Sequence, residues 1–65
     1  MLTAMPARCI RVGDLADCHG AVARVTEYQR TWGWVRLQLL TLDGVPIAWR
    51  LDPEECVTVR LDEDP

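Results

Sequence analysis

Cys9, Cys18, His19 and Cys56 are the thiols and the single imidazole of this 65-residue chain, and they are the first candidates for chemistry. A zinc site needs four such groups converging on one tetrahedron, usually delivered as closely spaced pairs. No Cys-x-x-Cys spacing is present, and adjacent Cys18 and His19 in an extended segment point to opposite sides. The thiols are therefore read as small hydrophobes, with no metal and no cofactor expected. The same geometry argues against a Cys-His nucleophilic pair, which requires side-chain contact. Serine is absent altogether, which removes serine-based acyl transfer. No glycine-rich phosphate loop is present, and the C-terminal acids lack the oxygen spacing of a calcium loop. The expectation is a protein that is not an enzyme.

The remaining polar chemistry is that of recognition. Tyr28, Trp32, Trp34 and Trp49 are all the aromatic residues of the chain, and all seven basic residues are arginine. Trp32 and Trp34 flank Gly33, and Arg36 and Arg50 lie on either side of an Asp43-Gly44 turn. Aromatic and arginine side chains on one exposed face suit a protein interface, a caged cation or a stacked base. What decides between a face and a scatter is the element that carries them.

That element is the stretch from Trp34 to Leu51. Val35, Leu37, Leu39 and Thr41 alternate with Trp34, Arg36, Gln38 and Leu40; after the turn Val45, Ile47, Trp49 and Leu51 alternate with Pro46, Ala48 and Arg50. Period-two alternation puts each set on one face of a sheet. A two-residue Asp43-Gly44 loop would split the odd apolar set between faces. A three-residue Leu42-Asp43-Gly44 loop, a type I turn closed by a left-handed glycine, pairs Thr41 with Val45, Leu39 with Ile47, Leu37 with Trp49 and Val35 with Leu51. The second register keeps every odd apolar residue together and is adopted. It makes Trp49 a core residue. It also sets Arg36 opposite Arg50 and Leu40 opposite Pro46 on the outward face, with Trp34 beside them. Like charges opposed across a ladder are unfavourable, so Glu54, Glu55, Asp62 or Asp64 is expected to fold back over the pair, or an anionic partner to cover it.

The rest of the chain reads as short strands. Residues 1–8 are expected to be a flexible arm, residues 9–61 the folded domain, and residues 62–65 an acidic tail. Cys9 to Leu15 is a first strand, Ala16 to Gly20 a polar loop, and Ala21 to Tyr28 a second strand. Its parity slips between Val22 and Val25, which allows a bulge or a face buried at one end. The connection to the next strand is centred on Gln29 to Gly33. Asp52-Pro53-Glu54-Glu55 has an N-cap, a proline at the first position and acids at the positive end, the pattern of a single helical turn. Cys56 to Leu61 is the last strand.

Val12-Gly13-Asp14, Gly20 opening the second strand, Asp43-Gly44, and Asp52-Pro53-Glu54-Glu55 ahead of Cys56-Val57-Thr58-Val59 resemble the layout of the SH3-like small barrels, the class that holds the KOW and Tudor modules. The resemblance spans Ile10 to Leu61 and is one of architecture. It implies an all-β fold, a five-stranded barrel with a single helical turn before the last strand. An OB-like barrel is the alternative, but the tight Asp43-Gly44 turn leaves no room for its helix.

Composition bounds the function. A chain of this length buries only about 60% of the surface its unfolded form exposes, so a second copy or a partner would help it, and a drug-sized pocket is hard to enclose. The net charge of −3 is uneven: residues 1–50 hold six arginines against four acids, for +2, and residues 51–65 hold one against six, for −5. The joint absence of Lys, Asn and Phe points to a GC-rich genome, bacterial or phage. No apolar run is long enough for a membrane span, and Met1 to Met5 makes no signal peptide; a cytoplasmic protein with reduced thiols is expected. The functional expectation is an interaction module that binds another protein, or a second copy of itself, through Trp32, Trp34, Arg36, Leu40 and Arg50, with Tyr28 at the margin. The alternative is nucleic-acid binding by the same arginines and tryptophans. The net charge and the sequence pI near 4.8 count against it, because non-specific affinity comes from neutralising phosphates.

Overall fold

The computed structural model describes residues 2–60. Strands β1 (Leu2–Pro6), β2 (Leu15–Cys18), β3 (Ala21–Thr31), β4 (Trp34–Thr41), β5 (Pro46–Leu51) and β6 (Cys56–Arg60) form one antiparallel sheet in the order β1-β6-β2-β3-β4-β5. The protein is all-β, as the alternation requires, but with six strands rather than five, and the sheet is not closed into a barrel. Val25, Val35, Leu37 and Val59 are wholly removed from solvent. Among the described residues no second layer covers them, so the sheet curls over its own inner face and leaves β1 and β5 as its edges.

The β4–β5 hairpin has the anticipated register: Val35 opposite Leu51, Leu37 opposite Trp49, Leu39 opposite Ile47 and Leu40 opposite Pro46. The turn explains it. The Gly44 N–H donates to the Thr41 carbonyl at 2.9 Å, the Thr41 N–H to the Val45 carbonyl at 2.9 Å, and the Val45 N–H to Thr41 Oγ1 at 2.9 Å. Gly44 holds φ at +89°, a conformation a Cβ would strain. In β3 the bulge falls between Val25 and Glu27. It restores parity, so that Val25 faces Leu39 and Tyr28 faces Leu37 on the buried side.

Several sequence expectations are corrected. Residues 2–6 are not a loose arm: β1 pairs along its length with β6, from Leu2 opposite Arg60 to Pro6 opposite Cys56. Cys9 to Leu15 is not a strand. Ala7–Cys9 is a 3₁₀ turn, and Arg11 to Asp14 reverses the chain, the Arg11 N–H donating to Asp14 Oδ2 at 2.9 Å. The strand begins only at Leu15, and the stretch read as a polar loop supplies it. The reversal after Cys18 is the two-residue turn His19-Gly20, with φ of +49° and +88°, the signature of a type I′ hairpin turn. Likewise the β3–β4 connection is Trp32-Gly33 alone, not a loop from Gln29.

The segment before the last strand is a tight turn, as its capping pattern indicates, but a β-turn instead of a helical one. Asp52 Oδ1 accepts the Glu54 N–H at 2.9 Å, and the Asp52 carbonyl accepts the Glu55 N–H at 3.0 Å. The only 3₁₀ turn among the described residues is Ala7–Cys9, and it docks on this β-turn. Ala7 N–H donates to Glu55 O at 2.9 Å and Arg8 N–H to Pro53 O at 3.1 Å, while Arg8 Nε pairs with Glu54 Oε2 at 2.9 Å. Leu61 and the acidic tail lie outside the described residues. No described helix is long and apolar enough to cross a membrane.

Removing residues 1–6 strips a strand from β6 and the half-buried Met5 from the core, whose packing is worth about 1–2 kcal/mol. The truncated chain is expected to lose about 2 kcal/mol or more of unfolding free energy in a urea titration. An unchanged midpoint would return these residues to the status of an arm.

Candidate functional site

The outward face of β3, β4 and β5 is a polar surface with a basic centre. Across it run three rows: Gln29, Arg36 and Arg50; Glu27, Gln38 and Ala48; and Arg24, Leu40 and Pro46. Thr41 and Val45 form a hydrogen-bonded pair, so by alternation Arg36 and Arg50 fall in a non-bonded pair, where side chains stand closest. The two cations are therefore held together by the register that buries Leu37 and Leu39.

The geometry relieves the clash in part. The Arg50 guanidinium turns over the Trp34 ring, 5.0 Å from its centroid, a contact worth about 0.5–1 kcal/mol at an exposed site. This leaves Arg36 flanked by Gln29 and Gln38 around a small recess of about 180 Å³ that Glu27 also lines. Trp34, Arg36, Ala48, Trp49 and Arg50 line a groove of about 290 Å³, below the usual range for a small-molecule site. The ion pair found among the described residues joins Arg8 to Glu54, so Glu54 is committed elsewhere, and Asp62 and Asp64 lie outside the described residues. Arg24 is also committed, its guanidinium donating to the Gly13 carbonyl at 2.9 Å.

The structure brings Trp34, Arg36 and Arg50 together, sets Leu40 on the same face but at the other end of the hairpin, and separates the other two candidates from them. Trp32 is 95% exposed at the β3–β4 tip, off the face. Tyr28 is on the inner side, packed against the core. Its hydroxyl donates to the Arg8 carbonyl at 3.1 Å, and it lines a different groove with Arg8 to Val12. Trp49 faces inward as its parity requires, but β5 is an edge and covers it only partly; the His19 ring stands 5.6 Å away across the opening. Sequence reasoning missed the β3 row, Arg24, Glu27 and Gln29. The bulge at Thr26 hides its parity, and only the slip between Val22 and Val25 signals it.

Apolar groups cluster at the far end of the same hairpin. Leu40, Leu42 and Val45 are 42%, 77% and 54% exposed, continuous with Pro46. The thiols do not converge with them: Cys9 and Cys56 are exposed and Cys18 is buried. Among the described residues no three metal-ligating side chains cluster. No protein-family model matches the chain, and no curated protein matches its sequence.

Burial pushes the Cys18 thiol up from its ordinary value, because desolvation disfavours the thiolate. Ellman's reagent is expected to titrate Cys9 and Cys56 quickly and Cys18 only on unfolding. The unfolded chain loses the Cys18 proton near the ordinary thiol value of about 8.5 while the folded chain retains it. Stability therefore falls as pH rises through that value, and Cys18→Ala removes this slope. Equal reactivity of all three thiols would contradict the burial.

Proposed function

We propose that the chain is a small, non-enzymatic interaction module of the SH3-like type that binds another protein through the outward face of β4 and β5. The observation that carries this reading is the Arg36/Arg50 pair, opposed in adjacent strands with no acid in ion-pair contact among the described residues. A fold of this size has little stability in reserve, and a covering acid would remove the repulsion. Trp34, Leu40 and Pro46 supply apolar area around that charge, the mixed character of a protein contact. Support for the SH3-like type is the order β6-β2-β3-β4-β5 with a tight turn between β5 and β6.

Nucleic-acid binding by the same face is the second reading, favoured by the basic balance of residues 1–50 and the solvent-borne Trp32. Against it stand the overall net charge of −3 and Arg50 lying over the Trp34 ring, which occupies one stacking surface.

The test is affinity capture from a host lysate with and without nuclease. The wild-type chain is expected to retain a protein that survives nuclease, and Trp34→Ala combined with Arg36→Glu to lose it while the far-ultraviolet circular dichroism stays unchanged. Loss on nuclease treatment would give the face to nucleic acid. Unfolding of the double variant would make the two residues structural.

A further inference from the structure

The outer edge of β5 continues the basic face. Thr41 and Val45 are a hydrogen-bonded pair, so alternation aims the backbone groups of Ile47, Trp49 and Leu51 at β4 and those of Pro46, Ala48 and Arg50 away from the sheet. Pro46 has no N–H to offer. The free edge thus presents the Ala48 and Arg50 N–H groups as donors and the carbonyls of Pro46, Ala48 and Arg50 as acceptors. No strand lies on that edge among the described residues.

A strand laid against β5 must match two different rows. Its residues opposite Ala48 and Arg50 project onto the outward face beside Arg50, with Arg36 one strand further in, about 10 Å away and within the combined length of an arginine and a glutamate side chain. Carboxylates there resolve the opposed charges. Its residue between them, opposite Trp49, projects to the inner side, where Trp49 and Ile47 are only partly buried against the core. That position asks for an apolar side chain. A second copy of β5 offers only Pro46, Ala48 and Arg50 at its outward positions, adding positive charge and no carboxylate, so charge complementarity selects a different occupant.

Resting on the interaction-module reading above, we infer that the β5 edge captures an extended segment of a partner protein as a seventh strand, and that the segment alternates acidic and apolar residues. Main-chain bonds to Ala48 and Arg50 hold it; the arginines and Trp49 select its two faces.

The probe is a fluorescein-labelled eight-residue peptide of alternating Glu and Val, followed by anisotropy. Its comparison is a peptide of the same composition with four Glu followed by four Val. The alternating peptide is expected to bind more tightly, and Arg50→Glu to weaken it about tenfold or more. Ala48→Pro removes one edge donor that the folded chain does not use, a position where edge strands tolerate proline, and is expected to weaken binding by about tenfold. Amide exchange supplies a readout that needs no variant: Ala48 and Arg50 amides exchange fast in the free chain and become protected with peptide.

Equal binding of both peptides, or unchanged exchange at Ala48 and Arg50, would overturn strand addition. Protection of those amides without peptide, rising with protein concentration, would make the occupant a second copy. Displacement of the peptide by mixed-sequence DNA at physiological salt would give the edge to nucleic acid. If lysate capture survives Ala48→Pro but fails with Arg36→Glu, strand addition falls and the interaction face stands; if capture fails for the wild-type chain, both readings fall.

Discussion

The three hydrogen bonds around Thr41 govern this molecule. They choose a three-residue loop over a two-residue one, and in a strand a shift of one residue exchanges the faces. With Thr41 opposite Val45, Val35, Leu37, Leu39 and Leu51 share the buried side, where they meet Val25, Val57 and Val59 in the core. The same choice forces Arg36 opposite Arg50. The repulsion on the surface and the burial inside are consequences of one register. The chain cannot relax the first without abandoning the second, and burying a leucine, about 1.5–3 kcal/mol, outweighs the few tenths that opposed charges cost.

A single sheet buries side chains completely only by rolling, and rolling costs it regularity. β3 pairs with β2 over Ala21 to Arg24 and with β4 from Ala23 to Thr31, Ala23 and Arg24 serving both ladders, and the bulge at Thr26 interrupts the second. At the other end of the core the rolled sheet is fastened by the two tight turns, Ala7–Cys9 and Asp52 to Glu55, through backbone bonds and the Arg8–Glu54 pair. Tyr28 joins them by donating to the Arg8 carbonyl. It ties the inner side of β3 to the Ala7–Cys9 turn, which explains why it stands apart from the aromatic and basic residues of the outer face.

The hairpin was legible in sequence because its information is local: two alternating runs and one turn with a glycine at the required position. The opposed arginines followed from the register without further assumption. β1 was not legible. Leu2, Ala4 and Met5 alternate weakly, and what orders them is β6, more than fifty residues away. Gly13 and Gly20 mark turns, but nothing local says which side of each is strand, so the alternation points to a strand before Leu15 and to a loop at Ala16 to Cys18. Tyr28 and Trp34 are both aromatic residues of one hairpin, and the length of the turn decides that they lie on opposite faces: Trp32-Gly33 pairs Thr31 with Trp34, which sets Tyr28 opposite the buried Leu37. Trp49 was assigned inward by parity; that β5 is an edge, and so leaves it half-covered, depends on where the sheet stops.

An exposed edge strand usually needs protection, and β5 has two of the common devices, a proline that withholds a donor and a charged side chain. Protection alone would explain Pro46 and Arg50. It does not explain Arg36, which sits on the inner neighbour β4, where one uncharged residue would serve the fold better. Nor does it explain leaving Trp49 and Ile47 half-covered behind the edge. A surface that is doubly positive and offers a second copy no acid is, by the same Coulomb term, attractive to a strand of the opposite sign. Protection against self-association and selection of an acidic strand are therefore two effects of one arrangement, and Arg36 is the residue that separates the second from the first.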